Sequence, residues 1–344
     1  MQLYNKLSKK ERLDLINKAG EKRLTLSFYK YYIIKNTSIF RNYLFILLDK
    51  LDVLGRIYIA NEGINAQVSV PSNKLIELKE YIDNISFLNG IRLNIGIEHN
   101  NEAFLKLKIK IKEKIVADGL SLKDYNLDIN GKHVNAVEFN ELLENDDTIT
   151  IDMRNHYESE IGHFRGAKLP NVDTFRESLP LIKKKYEKYK KNKKFLMYCT
   201  GGIRCEKASA YLLSNGYKNI FQLNGGIIEY ARQVKESKIE NKFIGKNFVF
   251  DNRRGERISN DIISNCHQCG KKCDEHVNCN NEACNMLFIQ CNECKKKNNG
   301  CCSQKCNKIF SLPDEKQKKL RRGKKSSRKV YKKGRFSKSV VDKV

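Results

Sequence analysis

The sequence predicts a multidomain chain of α/β and α+β class, and three observations carry that prediction. Over the first third, strand-like and helical stretches follow in the order β-α-β-β-α-β. From about residue 132, single strands alternate with amphipathic helices. Finally, ten of the 12 cysteines fall between Cys266 and Cys306, a stretch with little periodicity of either kind. A chain of 344 residues is long enough for two or three domains with real cores.

The N-terminal unit, 1–125, begins with a short leading helix over 1–20. Strand 24–34 and amphipathic helix 38–51 follow. Residues 56–60 and 66–70 read as a hairpin joined by the turn-rich segment Asn61-Glu62-Gly63-Ile64-Asn65. A helix over 73–85 and a strand over 91–97 complete the split β-α-β plan of ferredoxin-like domains. The strictest alternation in the chain comes next, at 105–111. There Leu105, Leu107, Ile109 and Ile111 share one face, and Lys106, Lys108, Lys110 and Lys112 share the other. Four ammonium groups at strand spacing can track a phosphate backbone, or can guard a sheet edge against pairing.

The second unit, 138–238, reads as a helix at 137–144, a strand at 148–153 and a helix at 173–189. Strand 194–198, helix 204–214, strand 219–223 and helix 226–235 follow. Such alternation builds a parallel sheet that binds ligands at the carboxyl ends of its strands. Asp152 and Cys199 both sit at such ends, and Gly225-Gly226 permits a close backbone approach there. The segment Cys199-Thr200-Gly201-Gly202-Ile203-Arg204-Cys205 lies between an apolar strand and a helix start. Two glycines let the backbone curl so that successive N–H groups point at one spot, and the helix end adds positive potential. Both favour thiolate over thiol at Cys199. Arg204 adds a fixed charge, and Cys205 is a candidate resolving thiol on the first helical turn. Four residues separate Cys199 from Arg204, a ring one residue smaller than that of cysteine-dependent phosphatases, and its amides suit a persulfide better than a phosphoryl group.

Beyond residue 241 the cysteines dominate. Cys266-x2-Cys269 and Cys291-x2-Cys294 have tetrathiolate zinc spacing. Cys273, His276, Cys279, Cys284, Cys301, Cys302 and Cys306 can supply one or two further sites, with ligand partners open. An iron–sulfur cluster is the alternative occupant, and metal-free buried cysteines a third reading. The Cys-rich segment, 241–310, gives way to a basic tail, 311–344, read as largely disordered from residue 315. Residues 313–344 hold 14 Lys/Arg against 3 Asp/Glu, and the net charge of +26 leaves the rest of the chain basic as well. An anionic partner follows, nucleic acid first. No apolar run is long enough for a membrane helix, and the charged first 20 residues do not resemble a secretory signal, so the cytoplasm is the expected location. A reducing compartment favours metal ligation over disulfides.

Several stretches together resemble a known family. Asp152-Met153-Arg154, His156-Tyr157-Glu158, Gly162-His163, Gly166-Ala167, the Cys199–Cys205 loop and Asn224-Gly225-Gly226 resemble a rhodanese domain. With ANEGINAQ at 60–67, GKNFVFDNRRGERIS at 245–259 and CHQCGKKCDEHVNC at 266–279, the chain over 20–306 resembles the bacterial tRNA uridine(34) hydroxylases. The resemblance implies a ferredoxin-like domain followed by a rhodanese-like parallel α/β domain, with Cys199 as the persulfide-carrying cysteine. It implies Asp152, Arg154 and Glu158 as a structural charge network around the loop. It also implies hydroxylation of the wobble uridine at C5, with molecular oxygen as co-substrate and the tRNA anticodon region as partner. The loop by itself leaves persulfide or thiosulfate sulfur transfer in tRNA thiolation open; a non-catalytic tRNA-binding scaffold is a further alternative, against which the intact Cys199 argues. No glycine fingerprint for a flavin and no two-histidine, one-carboxylate iron site is visible.

Overall fold

A computed structural model describes residues 3, 5, 7–121, 123–323 and 330–332. The chain opens with α1 (Lys9–Ala19), started by a Ser8/Glu11 capping box and stopped by Gly20 in the left-handed region. Then come β1 (Arg23–Tyr31), α2 (Thr37–Lys50), β2 (Leu54–Ala60), β3 (Gly63–Pro71), α3 (Leu75–Asp83), β4 (Asn94–Ile95) and β5 (Leu107–Ile111). They form a sheet of order β4-β1-β3-β2-β5. Its first four strands have the ferredoxin-like order, and β5 adds a fifth parallel to β2. The β2–β3 turn is only Asn61-Glu62, so Gly63-Ile64-Asn65 belong to the strand and not to the predicted longer turn. The strand expected at 91–97 shortens to two residues.

Period-two alternation gives this sheet two unlike faces. Leu26, Phe28, Ile57, Ile59, Ala66, Val68, Leu107 and Ile109 pack under α2 and α3 with Leu44, Leu48, Leu78 and Ile82. The opposite face carries Ser27, Tyr29, Arg56, Tyr58, Asn65 and Gln67, brought side by side by the register Ser27↔Gln67, Tyr29↔Asn65 and Tyr58↔Asn65. The predicted apolar face of β5 is narrower than its alternation implies. Leu105 packs elsewhere with Ile16 and Phe104, and Ile111 at the strand's end is 46% exposed.

The second layered unit holds β6 (Lys132–Val134), α4 (Ala136–Glu144), β7 (Thr148–Asp152), α5 (His156–Ser159), β8 (Gly162–Phe164), α6 (Phe175–Tyr186), β9 (Lys194–Tyr198), α7 (Ile203–Ser214), β10 (Asn219–Leu223) and α8 (Gly226–Ser237). Its parallel sheet has the order β6-β10-β9-β7. Along β9, Phe195 and Met197 face the α6–α7 core, while Leu196 and Tyr198 face the α4–α8 core. Burial on both faces is why this strand reads as a continuous apolar run.

Next, β11 (Phe243–Asn247) pairs antiparallel with β8 and with β12 (Glu256–Arg257). The cysteine-rich stretch contributes the hairpin β13 (His276–Asn278) and β14 (Leu287–Ile289), then α9 (Asn292–Lys297) and α10 (Gln304–Phe310). The reading of the tail as disordered fails for α11 (Asp314–Arg321), whose acidic start and basic end complement the helix dipole. It also fails for Val330–Lys332, where the Tyr331 N–H donates to the Leu287 carbonyl at 2.9 Å and the Tyr331 ring stacks on His267 with centroids 4.0 Å apart. The rest of that expectation, 324–329 and 333–344, lies outside the described residues.

Candidate active site

Strand β9 delivers Cys199 to the carboxyl edge of the sheet, and α7 starts four residues later. The Gly202 N–H donates to Cys199 Sγ at 3.1 Å, and the N–H groups of Arg204 and Cys205 also point at it. Gly202 has φ +99°, and a Cβ there would lie 2.7 Å from the Tyr29 hydroxyl. The floor of the loop is just as tight. Gly226 has φ +67°, and its Cβ would lie 2.6 Å from the carbonyl oxygens of both Cys199 and Thr200. Those carbonyls instead accept from the first amides of α8, Ile227 at 3.0 Å and Ile228 at 3.3 Å.

Cys199 is fully buried at the bottom of its ring, which by itself would push its thiol up. The hydrogen bond from Cys205, the Arg204 charge and the two amides outweigh burial and bring it down to about 6. Cys205 shows the opposite behaviour: burial, then its contact with Cys199, push its thiol well up, so it stays protonated and donates. Cys199 is therefore the sulfur lowered toward thiolate and Cys205 the one held as thiol.

Arg204 is positioned by Glu158, which accepts from both guanidinium ends at 2.7 and 2.8 Å. Asp152 is held by Arg154 at 2.7 and 2.9 Å and by the Tyr198 hydroxyl at 2.9 Å. All of these groups are buried, and each carboxylate has its cation. The carboxylates Asp152 and Glu158 are not among the residues that line the cavity beside the loop, so they hold the loop and are not acid–base groups facing it. A third buried ion cluster ties the two layered units together. Lys207, on α7, reaches Glu62 at 2.8 Å and Asp118 at 2.5 Å, and Glu62 also accepts from the Ile115 N–H at 2.7 Å. Tyr31 donates to the Ile203 carbonyl at 3.1 Å and Tyr29 to Glu206 at 3.2 Å. The polar face of the five-stranded sheet thus sits over the cysteine loop.

Between them lies a cavity of about 360 Å³ lined by Cys199, Thr200 and Arg204 on one side and Tyr29, Asn65 and Asn94 on the other. Phe250 closes one wall, with the Arg204 guanidinium 6.0 Å from its ring centre. Asn94 Oδ1 is buried there with no hydrogen-bond partner among the described residues. Glu256 also lines the cavity, where Arg253 holds one carboxylate oxygen and the other is buried with no partner among the described residues. Burial pushes this carboxyl up. A larger hollow of about 750 Å³ shares Arg56, Phe104, Phe250 and Asp251 with the first, and includes Lys106, Lys108 and Arg254. The lysine stripe is therefore divided: Lys106 and Lys108 line this hollow, while Lys110 and Lys112 are exposed beyond it.

The predicted metal ligands converge. The sulfurs of Cys266, Cys269, Cys291 and Cys294 lie within 4.8 Å of one another, with Cys269 and Cys291 3.6 Å apart. Tetrahedral zinc with bonds of about 2.3 Å requires sulfurs roughly 3.8 Å apart, so the donor set fits. An iron–sulfur cube fits poorly, because its cysteines must spread around a many-atom core, and four sulfurs this close enclose a single ion.

Sequence reasoning missed the Lys207–Glu62–Asp118 clamp and the cavity residues Asn94 and Glu256. Glu62 and Glu256 do lie in the two stretches ANEGINAQ and GKNFVFDNRRGERIS that carried the family resemblance. Asn94 had no local signal, since β4 is two residues long.

Known proteins match along the chain. Residues 135–233 match the Rhodanese-like domain, 23–115 the UPF0176 acylphosphatase like domain, and 244–307 the Rhodanase C-terminal family. A tRNA uridine(34) hydroxylase of Leptospira interrogans is 48% identical over 99% of this chain and 92% of its own length. One from Photorhabdus laumondii is 46% identical over 97% and 95%. Among solved structures, a rhodanese-like domain protein of Staphylococcus aureus is 27% identical over 29% of this chain and 90% of that one, with a TM-score of 0.24. The near full-length identity to these relatives, over a chain with this reactive loop, makes it a member of the tRNA uridine(34) hydroxylase family.

Proposed function

We propose that this chain hydroxylates the wobble uridine of tRNA at C5, with molecular oxygen as co-substrate and Cys199, as thiolate or persulfide, as the reacting sulfur. Family membership supports the reaction. The observation that carries the assignment of the site is a sulfur held down to about 6 at the floor of a 360 Å³ cavity with a polar roof. In this reading residues 138–238 supply the sulfur, 1–125 the roof, and 241–310 the wall that carries Phe250, with 311–344 as a basic extension.

The thiolate adds reversibly at C6 of the uracil ring. A sulfur–carbon bond forms, and the ring's electron pair moves onto C5 and the neighbouring carbonyl, so that C5 becomes the nucleophilic carbon. Dioxygen adds at C5 and is protonated to a hydroperoxide; two equivalents of a thiol reductant cleave its O–O bond, giving water and a disulfide and leaving a C5 hydroxyl, and loss of the C5 proton with elimination of Cys199 restores the ring. Asn94 Oδ1, an acceptor without a partner among the described residues, receives the uracil N3–H. Cytosine lacks that proton, and the buried carbonyl would then stay unpaired. Nucleotides flanking position 34 lie in the larger hollow, with their phosphates against Lys106, Lys108 and Arg254. Zinc at Cys266, Cys269, Cys291 and Cys294 braces the segment against Tyr157 and Phe248, which pack with Cys266 and Cys294.

A sulfurtransferase would use the same amide ring, so the test must separate the two. Nucleosides from tRNA of a strain lacking this gene are measured by mass spectrometry. Loss of 5-hydroxyuridine derivatives, restored by the wild-type gene, is the expected result. Loss of a thiolated base instead would reassign the site to sulfur transfer, and unchanged tRNA would leave a scaffold.

A further inference from the structure

We propose that Cys279, Cys284, Cys302 and Cys306 form a second tetrathiolate zinc site, interleaved with the first so that two ions cross-brace the C-terminal segment. The four sulfurs lie within 4.8 Å of one another. Cys302 Sγ is 3.7 Å from Cys284 Sγ and 3.7 Å from Cys306 Sγ, the edge length of a tetrahedron of sulfurs around one zinc ion. The sulfurs also receive N–H donors, Cys302 N to Cys279 Sγ at 3.4 Å and Asn281 Nδ2 to Cys306 Sγ at 3.4 Å. Donors aimed at sulfur favour thiolate, the form that binds metal. Each of these cysteines is buried or half-buried. Four thiols at this spacing cannot ionise together without a cation among them.

The order along the chain gives the site its structural meaning. Two cysteines of the first set (266, 269) come first, then two of the second (279, 284). Two of the first (291, 294) and two of the second (302, 306) follow. The pair 279/284 flanks the turn between β13 and β14, so each ion ties a segment before β14 to one after it. Neither site can assemble from a contiguous piece of chain. The ions also complete a core that side chains leave thin: around the second set the buried apolar residues are Met286 and Phe288, together with Cys301. Cys273 and Cys301 belong to neither set, which makes the assignment specific to eight of the ten cysteines in the segment.

The test is zinc stoichiometry of the full chain purified under reducing conditions, by elemental analysis and native mass spectrometry. Two zinc ions per wild-type chain are expected, falling to one in Cys284→Ser and to one in Cys269→Ser. One ion or none in the wild type, or two ions retained in Cys284→Ser, would overturn the proposal. If Cys284→Ser does not fold, peptide-resolved alkylation of the native wild type decides. Cys279, Cys284, Cys302 and Cys306 should resist alkylation while two ions are bound and become reactive together on chelation. Free reaction of these four with both ions still bound would also overturn it. Neither readout depends on the hydroxylation reaction.

Discussion

Cys199 sits among backbone amides with one protonated thiol beside it, whereas eight cysteines of the C-terminal segment sit in two groups of four sulfurs. In the loop, negative charge on sulfur is balanced by dipoles and by a guanidinium already committed to Glu158. Hydrogen bonds to the sulfur, unlike a metal–sulfur bond, leave its electron pairs available for reaction, so the thiolate remains a nucleophile toward the cavity. In the clusters, sulfurs 3.6–3.7 Å apart repel one another once ionised, and a cation that balances them also uses their lone pairs. In the proposed function sulfur serves reaction in the loop and, with zinc, architecture in the clusters, and the difference lies in what neutralises the charge.

The comparison can be broken most sharply at Cys199. Cys199→Ser should lower 5-hydroxyuridine formation by about 10³-fold or more while leaving tRNA affinity unchanged, because serine is not ionised by the same ring. Activity measured by nucleoside mass spectrometry and affinity by filter binding check the two halves. Next in size is Glu158→Gln. It leaves the buried Arg204 without its carboxylate and should destabilise the protein by about 3–5 kcal/mol, read from denaturant unfolding. Gly226→Ala should follow at about 1–3 kcal/mol or more, since a Cβ at 2.6 Å from two carbonyl oxygens must displace the loop that carries Cys199.

pH sharpens the comparison without a mutation. A thiol lowered to about 6 is mostly thiolate at pH 7, so activity should fall as pH drops through that value, about tenfold per unit below it. The smallest expected effect is at the lysines. Reversing Lys106 and Lys108 should reduce the salt slope of tRNA binding by roughly one for each phosphate no longer neutralised, and reversing Lys110 and Lys112 should change it less.

The loop was legible in the sequence because its determinants are local. The apolar run 195–198 ends where the strand ends, and the glycines and helix start fall within the next five residues. The ferredoxin-like order was legible for the same reason, through two hairpin-length strands and two amphipathic helices. What the sequence hid depends on distant partners. β6 is a three-residue strand defined only by pairing with β10, and β4 is a two-residue strand defined by β1. Lys207 reads as a surface helix lysine until Glu62 and Asp118 arrive from 145 and 89 residues away. Spacing suggested the first cysteine set through two C-x2-C pairs, but the second uses spacings of four and three residues, and only the hairpin selects among the candidates. The polar roof of the cavity was present in the alternation of β1 and β3, yet only the docking of the two units turns that face into a site.

Cys199 is proposed to be the sulfur that meets the cavity as a thiolate, and its rate of alkylation as a function of pH tests this most directly. The native zinc-loaded chain is treated with iodoacetamide, and modification is followed peptide by peptide. Labelling of Cys199 should titrate with a midpoint of about 6, with Cys205 and the clustered cysteines unlabelled on the same timescale. A midpoint near 9, the value of an ordinary thiol, or labelling of Cys205 ahead of Cys199, would contradict the account.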